Sequence, residues 1–409
     1  MTHLVPVLRP VLGTPFRRGD LYRRAGEVPS FHIAPARTRD ARDLITGSVL
    51  GTYNSASPAW AVGPDGVLFQ PAANAPVIEY DPVTGACLGA RIWGVVTNDS
   101  KATEAVGGTG WTNQNSIGVS LNSTDVVDPA GGNKASKLTW VATNSQTLMP
   151  FTAAADVYSA GVWLRTLTGT ANVTLYVFLQ ASPYTVIGTA TVAVTSAWKR
   201  LSLTTSTATA AAYNFGIQLT GAGSVYAFGS QVNRGTVLGP YVQNNSTTLS
   251  ASSTADVWSI TGADFTRIWN QSAATLYAEA TRDVVPANDY PVLISAQTAN
   301  NAEKVQIAYL IESLASLYAS TSAVVQAELY PVIAANTRAR RIAGAFAQDN
   351  FATCANGGTV LTDTSGTMPS PDRINLGSIS SGQFLNGYIQ ELAIFRSRRP
   401  NANLQAMTS

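Results

Sequence analysis

Seven residues near the middle of the chain combine flat apolar rings with amide and guanidinium groups: Trp163, Arg165, Tyr176, Phe178, Gln180, Asn214 and Gln218. Such rings stack on the apolar faces of sugar rings, while amides and a guanidinium bond the hydroxyls around them. The same set would equally serve a subunit or domain interface, where large aromatics and arginine are also enriched. Either use needs all seven on one face. Alternation offers that: with Val162, Leu164, Val173, Leu175, Val177 and Leu179 turned to a core, the seven fall on the opposite side of their strands.

Residues suited to hydrolytic or metal chemistry are sparse. The two histidines, His3 and His32, both lie in the first 45 residues, which leaves the rest of the chain without a Ser/His or Cys/His pair. Cys87 and Cys354, 267 positions apart, make no zinc cage and suit a reducing cytoplasm. Asp125, Asp128 and Asn133 offer calcium its oxygen ligands, yet Asp128-Pro129 ahead of Gly131-Gly132 reads more simply as a turn. No metal or other cofactor is therefore expected. A glycosidase pair, ~5–10 Å apart, would have to come from Glu279, Glu303, Glu312 and Glu328, which read instead as solvent-facing strand charges. No phosphate-cradling glycine loop and no basic aromatic stripe occurs, so nucleotide and nucleic-acid ligands are not expected. The expectation is a protein without enzymatic activity.

The elements that would position these residues are strands. Charged residues make up 12% of the 409, against ~25% in ordinary soluble chains, and Ser, Thr, Asn, Gln, Ala and Gly take their place. With a net charge of +2, this excludes charge-driven disorder, a Glu/Lys coiled coil and a basic nucleic-acid coat. The longest uncharged stretch, 201–233, is interrupted by Thr, Gly, Asn and Gln and is not a membrane span. Turn chemistry at Gly63-Pro64-Asp65-Gly66 and Asp81-Pro82-Val83-Thr84-Gly85 separates short strands. Alternation at 173–180, 201–203 and 213–219 predicts a two-sheet sandwich over 100–245, with Trp111, Trp140 and Trp198 plugging its core. Further strands are predicted at 275–280, 305–311, 341–346 and 388–395, with hairpin signals at Asn356-Gly357 and Asn386-Gly387. Residues 327–341 would also pass as a helix interrupted by Pro331.

The first 45 residues differ in character. Eight arginines against four acids give this stretch +4, five prolines punctuate it, and neither strand nor helix period is sustained. It reads as an extended arm that orders against a partner surface. Pro6, Arg9 and Pro10 interrupt the apolar core that an export signal would need.

Residues 65–68, Asp-Gly-Val-Leu, and 72–85, from Ala72-Ala73-Asn74-Ala75-Pro76 to Thr84-Gly85, resemble a module of bacteriophage tail-fibre and head-fibre proteins. Of that module's usual continuation, residues 91–98 keep Thr97-Asn98. Gly110-Trp111-Thr112, residues 134–139 and 198–203, Phe228-Gly229-Ser230-Gln231-Val232 and Gly239-Pro240-Tyr241-Val242 are similar to the jelly-roll that follows, of carbohydrate-binding-module type. Residues 343–395 resemble the laminin-G-like or concanavalin-like lectin sandwiches of fibre carboxy termini. The resemblance implies an all-β chain of tandem β-sandwich (jelly-roll) domains: a basic arm 1–45, a small β module 46–99, a jelly-roll 100–245 and a lectin-like sandwich 246–409. It further implies a subunit of a virion assembled in the host cytoplasm, which binds host-surface polysaccharide without cleaving it. Arg17, Arg18, Arg23 and Arg24 would attach it to other virion proteins, and a homotrimer would be its working form. The alternative is a purely structural decoration or neck protein that clamps neighbouring capsid or tail subunits and binds no glycan.

Overall fold

Residues 158–165 and 171–179 each place an apolar side chain at nearly every second position, and they fold into two consecutive strands rather than a helix. The computed structural model describes residues 19–409 apart from 143, 283–289, 312, 334–338 and 381. Its first body is an antiparallel sandwich. The front sheet orders Val186–Val194, Ala171–Leu179, Ala211–Leu219, Gln146–Ala153 and Thr112–Gln114. The back sheet orders Lys199–Thr204, Tyr158–Arg165, Ser224–Arg234, Ser136–Thr139 and Gly118–Ser120. Val162, Leu164, Val173, Leu175, Val177, Phe215 and Ile217 fill the space between them and are wholly buried. Trp111 joins this core and Trp140 packs against it. Trp198 does not: it lies outside the back sheet beside Tyr226 and the Trp163 cluster, its indole donating to Val127 O at 2.8 Å.

The second sandwich pairs an eight-stranded with a seven-stranded sheet. The first orders Leu361–Asp363, Phe351–Ala355, Ala339–Ala347, Ala273–Thr281, Gly387–Phe395, Cys87–Ile92 and Ile78–Tyr80, and Phe31–Ile33 also pairs with Gly387–Phe395. The other orders Thr52–Asn54, Val257–Thr261, Arg373–Leu376, Val292–Gln297, Lys304–Ile311, Leu314–Thr321 and Val324–Leu329. The chain is thus all-β, with two sandwiches in tandem. The helix admitted for 327–341 does not form at either end: 327–329 pair with Leu314–Thr321, and 339–341 begin the strand Ala339–Ala347. Asn356 and Gly357, with φ of 45° and 68°, turn Phe351–Ala355 back toward Leu361–Asp363. Asn386-Gly387 makes no hairpin. Gly387 begins a strand so close to the Thr281 backbone that a Cβ would collide with it.

The boundaries expected at 45 and 99 are not the ones the topology draws. From residue 19 the arm is a strap on the second sandwich: helix Gly19–Ala25 packs on helix Asn401–Thr408, and Phe31 and Ile33 enter the core. Three residues, Phe31-His32-Ile33, are too short a run to show a period, and the strand that pairs with them lies some 360 positions away in sequence. His32 is consequently buried within the folded body. Residues 46–99 are likewise shared out: three of their strands complete the second sandwich, while hairpin Ala61–Val62/Leu68–Phe69 packs on the back sheet of the first. Among the described residues, no helix is long and apolar enough to cross a membrane.

Candidate functional site

Cross-strand register lays the outer face of the front sheet out in rows. In one row Thr189, Tyr176, Gly216, Leu148 and Thr112 are neighbours; the next holds Thr191, Thr174, Gln218, Gln146 and Gln114. On the other side of the tyrosine row stand Val186, Phe178, Asn214 and Pro150. None of these residues carries a charge.

Gly216 sets the height of the face. A Cβ there would lie 2.5 Å from Cε1 and Cζ of Tyr176, so the ring reclines across the sheet only because the residue beneath it is glycine. The Tyr176 hydroxyl donates to Gln146 Oε1, and Gln146 Nε2 donates to Gln114 Oε1 at 2.6 Å. Phe178 lies nearly parallel to Tyr176, with centroids 5.4 Å apart and planes 19° off parallel. Gln180 Nε2 donates to Asn214 Oδ1 at 3.0 Å, and Gln218 Nε2 to Asn144 Oδ1 at 3.1 Å. Burial pushes the Tyr176 phenol up to about 12, so it is a neutral donor at physiological pH. The result is a half-exposed two-ring platform bordered by ordered amides, a surface suited to polyhydroxyl ligands.

The structure therefore brings together Tyr176, Phe178, Gln180, Asn214 and Gln218, and separates Trp163 and Arg165 from them. Tyr158–Arg165 and Ala171–Leu179 are consecutive strands of opposite sheets, so the same inside-outside alternation aims their outward residues away from each other. Trp163 is 5% exposed, packed edge-on against Phe228 and Tyr241, and so belongs to the interface that was its other reading. Arg165 donates to Thr166 O and lies 5.8 Å from the Trp198 ring. Sequence reasoning missed Gln114 and Gln146. A signal existed for Gln146, which alternates with Thr147 and Met149 as Gln218 does with Ile217 and Leu219. It missed Tyr184 and Val186 too, 60% and 53% exposed, in and after the loop beyond Phe178.

Elsewhere the polar candidates are engaged internally. The Asp128 carboxylate accepts backbone N–H groups of Ala130, Gly132 and Lys134, whereas Asp125 bonds Lys137 and Tyr226, so the two do not converge on one ion. Among the described residues, no group of three His, Cys, Asp or Glu side chains is placed to hold a metal. Glu279 is not a solvent-facing charge: it is buried opposite Glu391, and Arg37 lies 3.4 Å from one and 3.1 Å from the other. Arg341 adds a contact to Glu279 at 3.3 Å, and His32 Nε2 lies 2.9 Å from Glu391. These carboxylates lock the strap in place. Glu303 accepts the N–H groups of Ser322 and Ser370, Glu328 is exposed, and Glu312 lies outside the described residues.

Of the arginines expected to anchor the chain, Arg17 and Arg18 lie outside the described residues. Arg23 is exposed and bridges Asp20 at 2.8 Å. Arg24 bridges Asp20 at 2.6 Å and donates to Ser409 O at 2.8 Å, tying the strap to the last residue. Arg23 and Arg24 together hold Asp20 below the usual carboxylate range.

No family model matches the chain, and no curated protein does. Among solved structures it is similar to the tandem CBM22-1-CBM22-2 domain from Paenibacillus barcinonensis Xyn10C, at 10% identity and a TM-score of 0.30, over 76% of this chain and 100% of that one. The CBM22-1 xylan-binding domain of the same protein matches at 13% identity and a TM-score of 0.27, over 37% of this chain and 98% of that one. The Ruminococcus gnavus IT-sialidase CBM40 bound to α2,3 sialyllactose matches at 14% identity and a TM-score of 0.30, over 34% and 84%.

Proposed function

We propose that the chain is a non-enzymatic glycan-binding subunit of a virion appendage, trimeric, which takes uncharged stretches of host-surface polysaccharide across the front sheet of its jelly-roll. The observation that carries the binding reading is the Tyr176–Phe178 platform lying over Gly216, with ordered amides on both sides and no charge in its rows. Sugar rings stack on the two aromatic faces, and Gln218, Asn214 and Gln180 bond the hydroxyls. One such face binds weakly; three on one particle bind by avidity. The virion role rests on the resemblance of residues 65–85 and of the later motifs to fibre proteins, and attachment falls to the amino-terminal segment that holds Arg17 and Arg18.

The test is a glycan panel read with wild type, Tyr176→Ala and Phe178→Ala. Each variant should weaken polysaccharide binding at least tenfold, about 1.4 kcal/mol, with the thermal melt retained because neither ring belongs to the inter-sheet core. Wild type that binds nothing on a broad panel of neutral polysaccharides hands the chain to the structural decoration reading.

A further inference from the structure

A cleft of about 1280 Å³ opens between the back sheet of the jelly-roll, the 46–99 segment and the second sandwich. It exceeds the ~300–1,000 Å³ usual for small-molecule sites, so its size suits an oligomer better than a single small molecule. Its walls carry the rings of Trp60, Trp93, Trp163, Tyr241 and Tyr388, contributed by all three parts of the chain.

One wall differs in kind from the front face. The Arg200 guanidinium lies 4.4 Å over the Trp163 ring and donates through Nη1 to Gly239 O at 2.8 Å. Its Nε and Nη2 are shielded from solvent and have no hydrogen-bond partner among the described residues. Those two atoms form the side-on fork that matches the two oxygens of a carboxylate. The indole N–H of Trp93, also on the cleft wall, is unpartnered as well. Glu79, whose charge reaches Arg200, is already 3.5 Å from Arg91. A guanidinium removed from water with no carboxylate of its own is held at a cost that a bound anion relieves. Burial pushes Arg200 down to about 10, in keeping with that missing partner. Lys199, Arg234 and Arg282 add positive charge along the walls, against Glu79, Asp81 and Asp99.

We propose that this cleft is a second glycan site, separate from the front face, and that it takes an acidic oligosaccharide whose carboxylate meets the Nε/Nη2 fork of Arg200 while its sugar rings stack along the indoles. The fork is shielded in the wall, so the proposal requires the guanidinium to turn about its terminal torsions above Trp163, giving up its bond to Gly239 O, to meet the carboxylate. The site does not depend on the front-sheet reading, because the rows around Tyr176 offer no charge to an acidic sugar.

The experiment titrates the full chain with trigalacturonate, a hyaluronate hexasaccharide and neutral α1,4-galactotriose, following heat and tryptophan fluorescence. Wild type should bind at least one acidic probe saturably and the neutral trisaccharide at least tenfold more weakly. Arg200→Gln should lower acidic-probe affinity at least tenfold, and Trp93→Phe, which deletes the N–H and keeps a ring, should lower it about threefold. Tyr176→Ala should leave it unchanged. If Arg200→Gln does not fold, Trp93→Phe decides the matter. Failure of wild type to bind either acidic probe overturns the proposal, as does full affinity in a folded Arg200→Gln or Trp93→Phe. Loss of acidic-probe binding in Tyr176→Ala overturns it too, by placing the ligand on the front sheet.

Discussion

Gly216 and Tyr176 divide one task between them: the glycine leaves the room and the ring fills it. Gly216→Ala would set a methyl group 2.5 Å from the ring carbons, and the far end of a flexible side chain is what gives way. Phe215 and Ile217 keep their places in the core, so the melting temperature should shift by no more than a few degrees while polysaccharide affinity falls at least tenfold. Unaltered affinity in this variant removes Tyr176 from the site. The pH dependence has a definite sign. Burial raises the Tyr176 phenol to about 12, so its neutral, donating form survives past the ordinary tyrosine value of about 10. Binding should stay level from neutrality to about pH 11 and drop only as the phenol ionises. A drop centred near pH 10 in a binding titration would show an unperturbed tyrosine.

At the scale of elements, the strap decides whether the second sandwich can exist alone. Phe31 and Ile33 are wholly buried core residues, and Arg37 and His32 stand against Glu391, with Arg37 also reaching Glu279. A chain beginning at Thr46 loses all four. It then leaves two carboxylates facing each other across neighbouring strands, a destabilising pairing, with Arg341 against one of them. Stranding a buried charge costs about 3–5 kcal/mol, comparable with the ~5–15 kcal/mol that holds a whole domain. Such a chain should be insoluble or melt without a cooperative transition from the second sandwich. Soluble protein with an intact melt would show the strap to be dispensable.

At the scale of the molecule, residues 46–99 join the two bodies. Arg91, buried in the second sandwich's sheet, donates to Ala59 O and Trp60 O, and Asn98 donates to Ser230 O and Val242 O. The Trp60 N–H in turn donates to Tyr241 O. What the molecule leaves open is an edge. Val324–Leu329 ends the seven-stranded sheet; Thr367 reaches Gln326 at its middle, but Val324 and Val325 stay 63% and 50% exposed, and exposed apolar residues on an edge strand favour association. The proposed number of three rests on the fibre resemblance, and light scattering tests it: a trimer should give three times the 42.9 kDa of one chain. A sharp single-chain mass at micromolar concentration refutes the trimer.

Alternation and turn chemistry are local, so the class of fold was legible before any tertiary contact: Val173, Leu175 and Val177 are buried, and the turns at Gly63–Gly66 and Asp81–Gly85 stand between paired strands. It also found Tyr176, Phe178, Gln180, Asn214 and Gln218, since outward positions on neighbouring strands of one sheet share a face. Which sheet a strand joins is set by long-range pairing. Trp163 and Tyr176 obey the same alternation and still end on opposite sides of the sandwich, because periodicity specifies inside against outside and not which sheet. For the same reason Phe31–Ile33 and His32 looked like part of an arm. Their partners on Gly387–Phe395 lie at the other end of the chain, and a pairing across that separation leaves no trace in a three-residue window. The cleft around Arg200 was beyond reach of any local pattern, since its walls come from three parts of the chain that meet only when both sandwiches have formed.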